Sequence, residues 1–220
     1  MFTSSPELKS LFDVESVKIN YTDYDQFLKL NRSKDEDICV FLDSAITHHP
    51  DYYLFGSKCA SNPNVYYNEI NRIFAFIEKK FNLKVIIAGH PKSRYIGNEF
   101  CGRDIIVGDT LRLVSQSKLV LTHASLSINY AIYMYKKIII LTTGSYGKYI
   151  PDNESMLTLM ESLNRELGIQ LIDIMEKKYK IKNKSVCIDS YNIYKYKYSC
   201  WRAIENMDSE EIVTRYIKRL

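Results

Sequence analysis

The sequence predicts an α/β protein whose mainly parallel sheet is covered by helices on both faces. Three observations point there. Short, almost wholly apolar runs rich in β-branched residues recur along the chain, and longer segments of helical period separate them. The runs are apolar throughout instead of alternating, as strands are when both faces of a sheet are covered. Loops rich in histidine, serine and proline follow directly after three of the runs.

The first strand is expected over 38–43, ICVFLD, entered from the charged turn 33–37 and followed by His48, His49 and Pro50. A helix over 66–81 places Ile70, Ile73, Phe74 and Ile77 on one face. The next strand, 84–88 (KVIIA), runs straight into Gly89-His90-Pro91. A short strand at 105–107 leads through Gly108 and Asp109 into a helix carrying Leu111, Leu113 and Val114. Asp109 there reads as an N-cap. Strand 119–122 (LVLT), a helix over 125–135 and strand 138–142 (IIILT) follow, then a helix near 154–167 and a strand near 170–174.

Beyond this the pattern weakens. Residues 177–197 hold seven lysines and one acid, Asp189, interleaved with tyrosines. That stretch reads first as a solvated strand and loop whose lysines shield a sheet edge. It reads second as a surface for single-stranded nucleic acid or an anionic membrane. A closing helix over 208–220 has Asp208 or Ser209 as its cap. The organisation expected is therefore an N-terminal segment, 1–37, without a clear element, and a nucleotide-binding unit over 38–176. The basic segment and terminal helix, 177–220, pack on the same unit.

Composition bounds the function. The chain has 220 residues, enough for one large domain with its own core. A formal charge of +4 is too weak to argue for a nucleic-acid binder. The five cysteines, Cys39, Cys59, Cys101, Cys187 and Cys200, show neither a CxxC pair nor zinc-like spacing with histidine. They read as reduced thiols that mostly serve packing. The start, MFTSSPELKS, lacks the pattern of a secretory signal, and no apolar run is long enough to span a bilayer. The expected location is the cytoplasm, at its membrane face if the basic segment contacts lipid.

All four histidines lie in the loops after the strands at 38–43, 84–88 and 119–122. In an open parallel sheet ligands sit outside the carboxyl ends of the strands, so these loops form the expected site. Asp43 could serve as a base there, or simply cap its own loop. His90, followed by Pro91 and Lys92, is placed to bond a phosphate and neutralise leaving-group charge. Arg94 and Arg103 could add positive potential. In the third loop, Thr122-His123-Ala124-Ser125-Leu126-Ser127, Ser125 is a suitable N-cap. The first-turn amides near Ser127 and Ile128, with the hydroxyls of Ser125 and Ser127, would make an anion site. Read singly, Ser125 is as well explained as a plain cap. The adjacent His48 and His49 lack further ligands at metal spacing, and no DxD motif occurs, so neither a metal nor another cofactor is implied.

The stretch TLRLVSQSKLVLTHASLSINYAIYMYKKIIILTT, residues 110–143, resembles the donor-site region of GT-B glycosyltransferases. Gly89-His90-Pro91 with Ser125-Leu126-Ser127 is similar to the His-Pro and Ser/Thr motifs of bacterial CMP-sugar transferases, the sialyl- and Kdo-type enzymes of capsule and lipopolysaccharide synthesis. The resemblance spans about half the chain, from Cys39 to Thr143. It implies one Rossmann-like half of a GT-B fold with a C-terminal helical extension. It also implies a nucleotide-sugar donor, CMP-linked, and a glycan or lipid-linked acceptor. By resemblance His90 would contact the phosphate, and Ser125 and Ser127 would hold phosphate and neighbouring groups. The sequence departs from the family at Lys137, where the turn usually has proline. It departs again at Tyr130, where many UDP-sugar relatives carry a ribose-binding glutamate. The acceptor half, which carries the catalytic carboxylate in these relatives, has no counterpart here. The alternative is a catalytically silent donor-binding subunit that needs a partner chain or acts as a homodimer.

Overall fold

A computed structural model describes residues 2–3, 17–31, 33–54, 56, 62–123, 125–143 and 153–219. Cys59 and Ala124 lie outside them. A two-residue parallel pair, β1 (Phe2–Thr3) with β2 (Val17–Lys18), precedes helix α1 (Thr22–Leu28). The body of the molecule then runs β3 (Ile38–Leu42), α2 (Asp51–Leu54), α3 (Pro63–Phe81), β4 (Lys84–Gly89) and β5 (Ile105–Val107). It continues with α4 (Thr110–Gln116), β6 (Leu119–Thr122), α5 (Ile128–Tyr133), β7 (Lys137–Thr142), α6 (Asn153–Leu167) and β8 (Gln170–Asp173). Helices α7 (Ile188–Tyr198) and α8 (Ser209–Ile217) close the chain.

Six strands form one sheet in the order β5-β4-β3-β6-β7-β8, and every pairing is parallel. The strands expected over 38–142 therefore share one sheet, with their carboxyl ends on one rim. The order steps outward from β3 to β4 and β5, then returns to the other side of β3 for β6, β7 and β8. This is the Rossmann-like order, and its reversal puts a crevice between the carboxyl ends of β3 and β6. Right-handed crossovers place the connections on opposite faces as the direction of travel reverses. Helix α3 covers one face, and α4 and α5 pack side by side on the other.

Local chemistry explains the helices that position the site. Asn62 accepts bonds from the Asn64 and Val65 amides, and Pro63 occupies the first helical position of α3. Asn82 ends the helix in the left-handed conformation, φ 53°. Tyr66, Ile70, Ile73, Phe74 and Ile77 form its buried stripe, at the spacing that brings one helix face to the sheet. Asp208, the cap read in the sequence, accepts from Glu211 N–H at the start of α8.

Three local expectations are corrected. The helix expected over 125–135 is shorter, because Ser125–Ser127 form successive turns before α5 begins at Ile128. The basic segment is not an edge strand, since its second half is helix α7. There Tyr191 is buried and its hydroxyl donates to the Lys136 carbonyl. Lys195 in the same helix is almost wholly covered and pairs with Glu205 at 3.3 Å, so that part of the segment offers no free basic stripe. Finally, the N-terminal segment has a definite element. Tyr24 and Phe27 of α1 pack on Tyr133 of α5, and Asn20 and Asp25 bond residues at the start of α8.

Among the described cysteines, Cys39 and Cys200 are buried packing thiols, whereas Cys101 and Cys187 are exposed; all four are free. Among the described residues no helix is long and apolar enough to cross a membrane.

Candidate functional site

The loop leaving β3 turns at Asp43. Its carboxylate is 5 % exposed and already holds two bonds: Oδ1 accepts from Ala45 N–H at 3.0 Å, and Oδ2 accepts from the Tyr95 hydroxyl at 2.7 Å. Burial pushes its pKa upward, opposed by those bonds and by the nearby histidines His48 and His90. Asp43 thus caps its own loop, one of the two roles its position allowed. Ala45 takes a left-handed conformation, φ 51°, uncommon for a residue with a Cβ. The sharp turn this makes returns the chain to His48 and His49 at the rim.

His90 follows β4 and is partly buried. Its backbone N–H donates to the Tyr95 oxygen at 2.7 Å, and its Nδ1 accepts from Lys92 N–H at 3.2 Å. An accepting Nδ1 puts the ring proton of the neutral form on Nε2, so His90 can offer a donor without being charged. Burial, and then the neighbouring His49, lower its pKa. The two rings meet edge to face at 4.7 Å between centroids. Lys92 is exposed and pairs with Asp51 of α2 at 3.3 Å, and Pro91 beside it is exposed at the turn. The loops after β3 and β4 are thereby joined at two points, Tyr95–Asp43 within and Lys92–Asp51 outside. Tyr95 is the site residue that sequence reading missed, since no spacing or motif marks it.

Arg103 has a structural role. It makes two bonds of 2.8 Å to the Glu78 carboxylate and further bonds to Asn71 Oδ1 and the Phe100 carbonyl, which clamp the end of the 91–104 loop to α3. Arg94 is exposed.

The third loop departs most from expectation. His123 is fully buried: its Nδ1–H donates to the Leu141 carbonyl at 2.7 Å, and its Nε2 accepts from the Tyr66 hydroxyl at 3.0 Å. Both nitrogens are spent inside, facing α3 and β7. Burial lowers its pKa to about 4. Thr122 is also fully buried, at the end of β6. Ser125 and Ser127 are partly exposed, on the rim. The amides expected to be free here are engaged, Ser127 N–H with Ser125 Oγ at 3.3 Å and Ile128 N–H with the Ser125 carbonyl at 3.1 Å. Tight turns into a six-residue helix consume these donors, so an anion at this end must rely on the serine hydroxyls. Tyr130 faces away from the crevice, its hydroxyl donating to Gln26 of the α1 helix at 2.6 Å. Beside Ser125 opens a cavity of about 200 Å³, lined by Tyr21, Leu126, Leu159, Leu163, Tyr194 and Tyr198 among others.

Close packing at β4 makes a testable point. A Cβ added at Gly89 would lie 2.9 Å from Val107 Cγ2 and 3.0 Å from both Ile105 Cγ2 and Tyr95 Cε2. Gly89→Ala is expected to cost about 1–3 kcal/mol through overpacking. It should also displace Tyr95 from Asp43. Thermal unfolding should show a Tm several degrees lower, and an unchanged Tm would mean the rim is looser than described.

No family model matches the chain, and no curated protein matches it. Among solved structures it is similar to the spinosyn forosaminyltransferase SpnP, with 12% identity and a TM-score of 0.39, over 96% of this chain and 52% of that one. It is also similar to a glycotransferase of kitacinnamycin, with 12% identity and a TM-score of 0.34, over 86% of this chain and 40% of that one. The chain thus spans about half the length, or less, of these proteins. Its own strand order defines it as a Rossmann-like α/β unit whose polar strand-end loops gather at the topological switch point.

Proposed function

We propose that this chain binds a nucleotide-activated sugar, CMP-linked, across the rim between His90 and Ser125–Ser127. We propose further that it is the donor-binding part of a glycosyltransferase of surface polysaccharide or lipopolysaccharide synthesis. The observation that carries the reading is the parallel register of β4, β3 and β6, which sets the His90 loop and the Ser125–Ser127 loop on either side of the β3 end. A ligand reaching from one loop to the other crosses the switch point, where a Rossmann-like sheet holds its ligands. In this reading His90 donates from Nε2 to a phosphate oxygen, with Pro91 shaping the turn and the Lys92 ammonium near the same anion. The hydroxyls of Ser125 and Ser127 donate from the opposite side. Thr122 and His123 support this loop from beneath, and neither a metal nor another cofactor has a role. The acceptor would be a glycan or lipid-linked saccharide, presented at the inner face of the membrane.

A second reading, a donor-binding subunit that needs a partner chain or a second copy, draws on Asp43. It is the one buried carboxylate among the described residues, and both its oxygens are already bonded. A base would have to come from elsewhere, from an acceptor surface set opposite the rim. In that case the purified chain binds CMP-sugar without transferring it. Robust transfer by a demonstrated monomer would sink this second reading.

The first reading is tested by thermal unfolding with CMP, CDP, UDP and GDP in parallel. A specific ligand at 100 times its Kd should stabilise the chain by about 2.7 kcal/mol. CMP is expected to shift the transition and the others to shift it less. Equal shifts, or none, would remove the nucleotide assignment.

A further inference from the structure

At the amino ends of β7 and β8, the end of the sheet away from the rim, a cavity of about 410 Å³ opens between α6, α7 and the segment 182–187. That volume lies in the range of sites that hold small molecules. Leu167, Ile169 and Val186 give the cavity an apolar wall, and three lysines, Lys137, Lys182 and Lys184, line it as well. No aspartate or glutamate among the described residues lines it.

Local structure holds the lysines there. Gln170 at the start of β8 clasps the passing chain: its Oε1 accepts from Lys182 N–H at 2.9 Å, and its Nε2 donates to the Lys180 carbonyl. Side chains of the clasped segment then alternate, as in an extended chain. Ile181 and Asn183 line a separate cavity with Leu83 and Leu119, whereas Lys182 and Lys184 line this one. Two of the ammonium groups touch neutral oxygens, Lys184 Nζ 3.4 Å from the Gly168 carbonyl and Lys137 Nζ 3.4 Å from Asn183 Oδ1. Among the described residues none of the three pairs with a carboxylate. Neighbouring lysines do pair, Lys136 with Asp35 and Lys118 with Asp37. Three like charges around one opening, without a counter-charge, focus a positive potential into it.

A lysine ammonium is a compact point charge that suits phosphate, and the apolar wall suits a ligand with a nonpolar body. We propose that this cavity binds an organic phosphate. The phosphate of such an ester meets Lys137, Lys182 and Lys184, and its apolar part lies against Leu167, Ile169 and Val186. The site is independent of the donor-binding reading, because the two lie at opposite ends of the sheet.

Cys187 supplies a local reporter. It lines the cavity and is exposed, and the Ser190 hydroxyl, 3.1 Å from Sγ, draws its pKa below the usual thiol value, so it alkylates readily. Cys101 is also exposed, in the loop that leads into β5 at the opposite edge of the sheet from β8, and serves as the internal control. The experiment follows iodoacetamide labelling of each cysteine by peptide mass spectrometry against increasing 1-naphthyl phosphate, inorganic phosphate or 1-naphthol. The ester is expected to slow labelling of Cys187 at concentrations that leave Cys101 unaffected, with inorganic phosphate and 1-naphthol less effective. Lys182→Gln and Lys184→Gln should each raise the half-protecting concentration of the ester about twofold to fivefold, the scale of ion pairs at exposed lysines. Added salt should raise it too. Failure of the ester to protect Cys187, equal protection of both cysteines, or 1-naphthol as effective as the ester would overturn the site. So would an unchanged half-protecting concentration in the doubly substituted protein. Lysine-dependent binding to phosphatidate vesicles, without any protection by the soluble ester, would assign the lysines to a membrane surface and overturn it as well. None of these outcomes bears on CMP binding at the rim.

Discussion

Replacement of Phe41 by alanine is expected to lower the unfolding free energy by about 3–5 kcal/mol, the largest effect of any single substitution considered. Phe41 is the fourth of the five residues of β3, the central strand from which the sheet grows in both directions, and is 0% exposed. Its ring lies 5.1 Å from Phe74 on α3, 6.2 Å from Phe100 at the end of the 91–104 loop, and 5.4 Å from His123 after β6. Truncation removes the transfer free energy of the ring and leaves a cavity that three separate elements would have to collapse to fill. Because the β3, β4 and β6 loops meet through this ring, the rim should loosen as well. Denaturant unfolding should place Phe41→Leu between the wild type and Phe41→Ala. A loss under about 1 kcal/mol for the alanine variant would mean that α3 is not packed on the sheet as described.

Acidification is expected to cost nearly as much, through one residue. His123 is buried with a pKa lowered from 6.5 to about 4, by desolvation against the opposing pull of its bond to the Leu141 carbonyl. The folded-state pKa is the lower one, so between about pH 6.5 and pH 4 the unfolded chain binds a proton that the folded chain refuses. Stability from this residue is complete above about pH 6.5, falls as pH drops through that window, and levels off below it, a total of about 3 kcal/mol. Asp43 works the other way, since its raised pKa makes the folded state hold a proton more readily and favours folding as pH falls. The comparison that isolates His123 is the slope of unfolding free energy against pH in wild type and His123→Gln. The variant should be flatter between pH 6.5 and 4 whatever its stability at pH 7. Parallel curves would place His123 in contact with water.

The legibility of this chain follows the physics of each segment. Strands at 38–42, 84–89, 119–122 and 137–142 were readable because burial on both faces keeps their interiors apolar, with Lys84, Lys137, Thr122 and Thr142 confined to their ends. Helix α3 was readable because its stripe is long, though its start at Pro63, with Asn62 as the cap, lies three residues before the expected 66. Helix α7 was not, because tyrosine and lysine occupy both its buried and its exposed positions, so no apolar face shows. Its burial comes from tertiary partners, Lys136 for Tyr191 and Glu205 for Lys195. Helix α1 is short and is held by residues nearly two hundred positions away, a distance at which local pattern carries no signal.

The candidate site was legible in outline and not in detail. Strand ends mark the rim, so Asp43, His90 and Ser125–Ser127 could be placed together before any contact was known. Sequence does not say which way a residue at a strand end turns, and His123 turns inward. A signal was available in retrospect. Tyr66 on the buried stripe of α3 carries a hydroxyl that must find a partner, and a strand-end imidazole is a suitable one. Tyr95, which joins Asp43 to His90, lies in a loop whose course no local rule predicts.

The central claim is that a CMP phosphate lies between His90 and the Ser125–Ser127 turn. The direct measurement is calorimetric titration of CMP into wild type, His90→Ala and Ser127→Ala at one fixed ionic strength. Loss of a hydrogen bond to a charged phosphate is worth about 1.5–3 kcal/mol, so His90→Ala should bind about tenfold to a hundredfold more weakly. Ser127→Ala should lose less, because the Ser125 hydroxyl remains beside it. Wild-type affinity for CMP in His90→Ala would contradict the account.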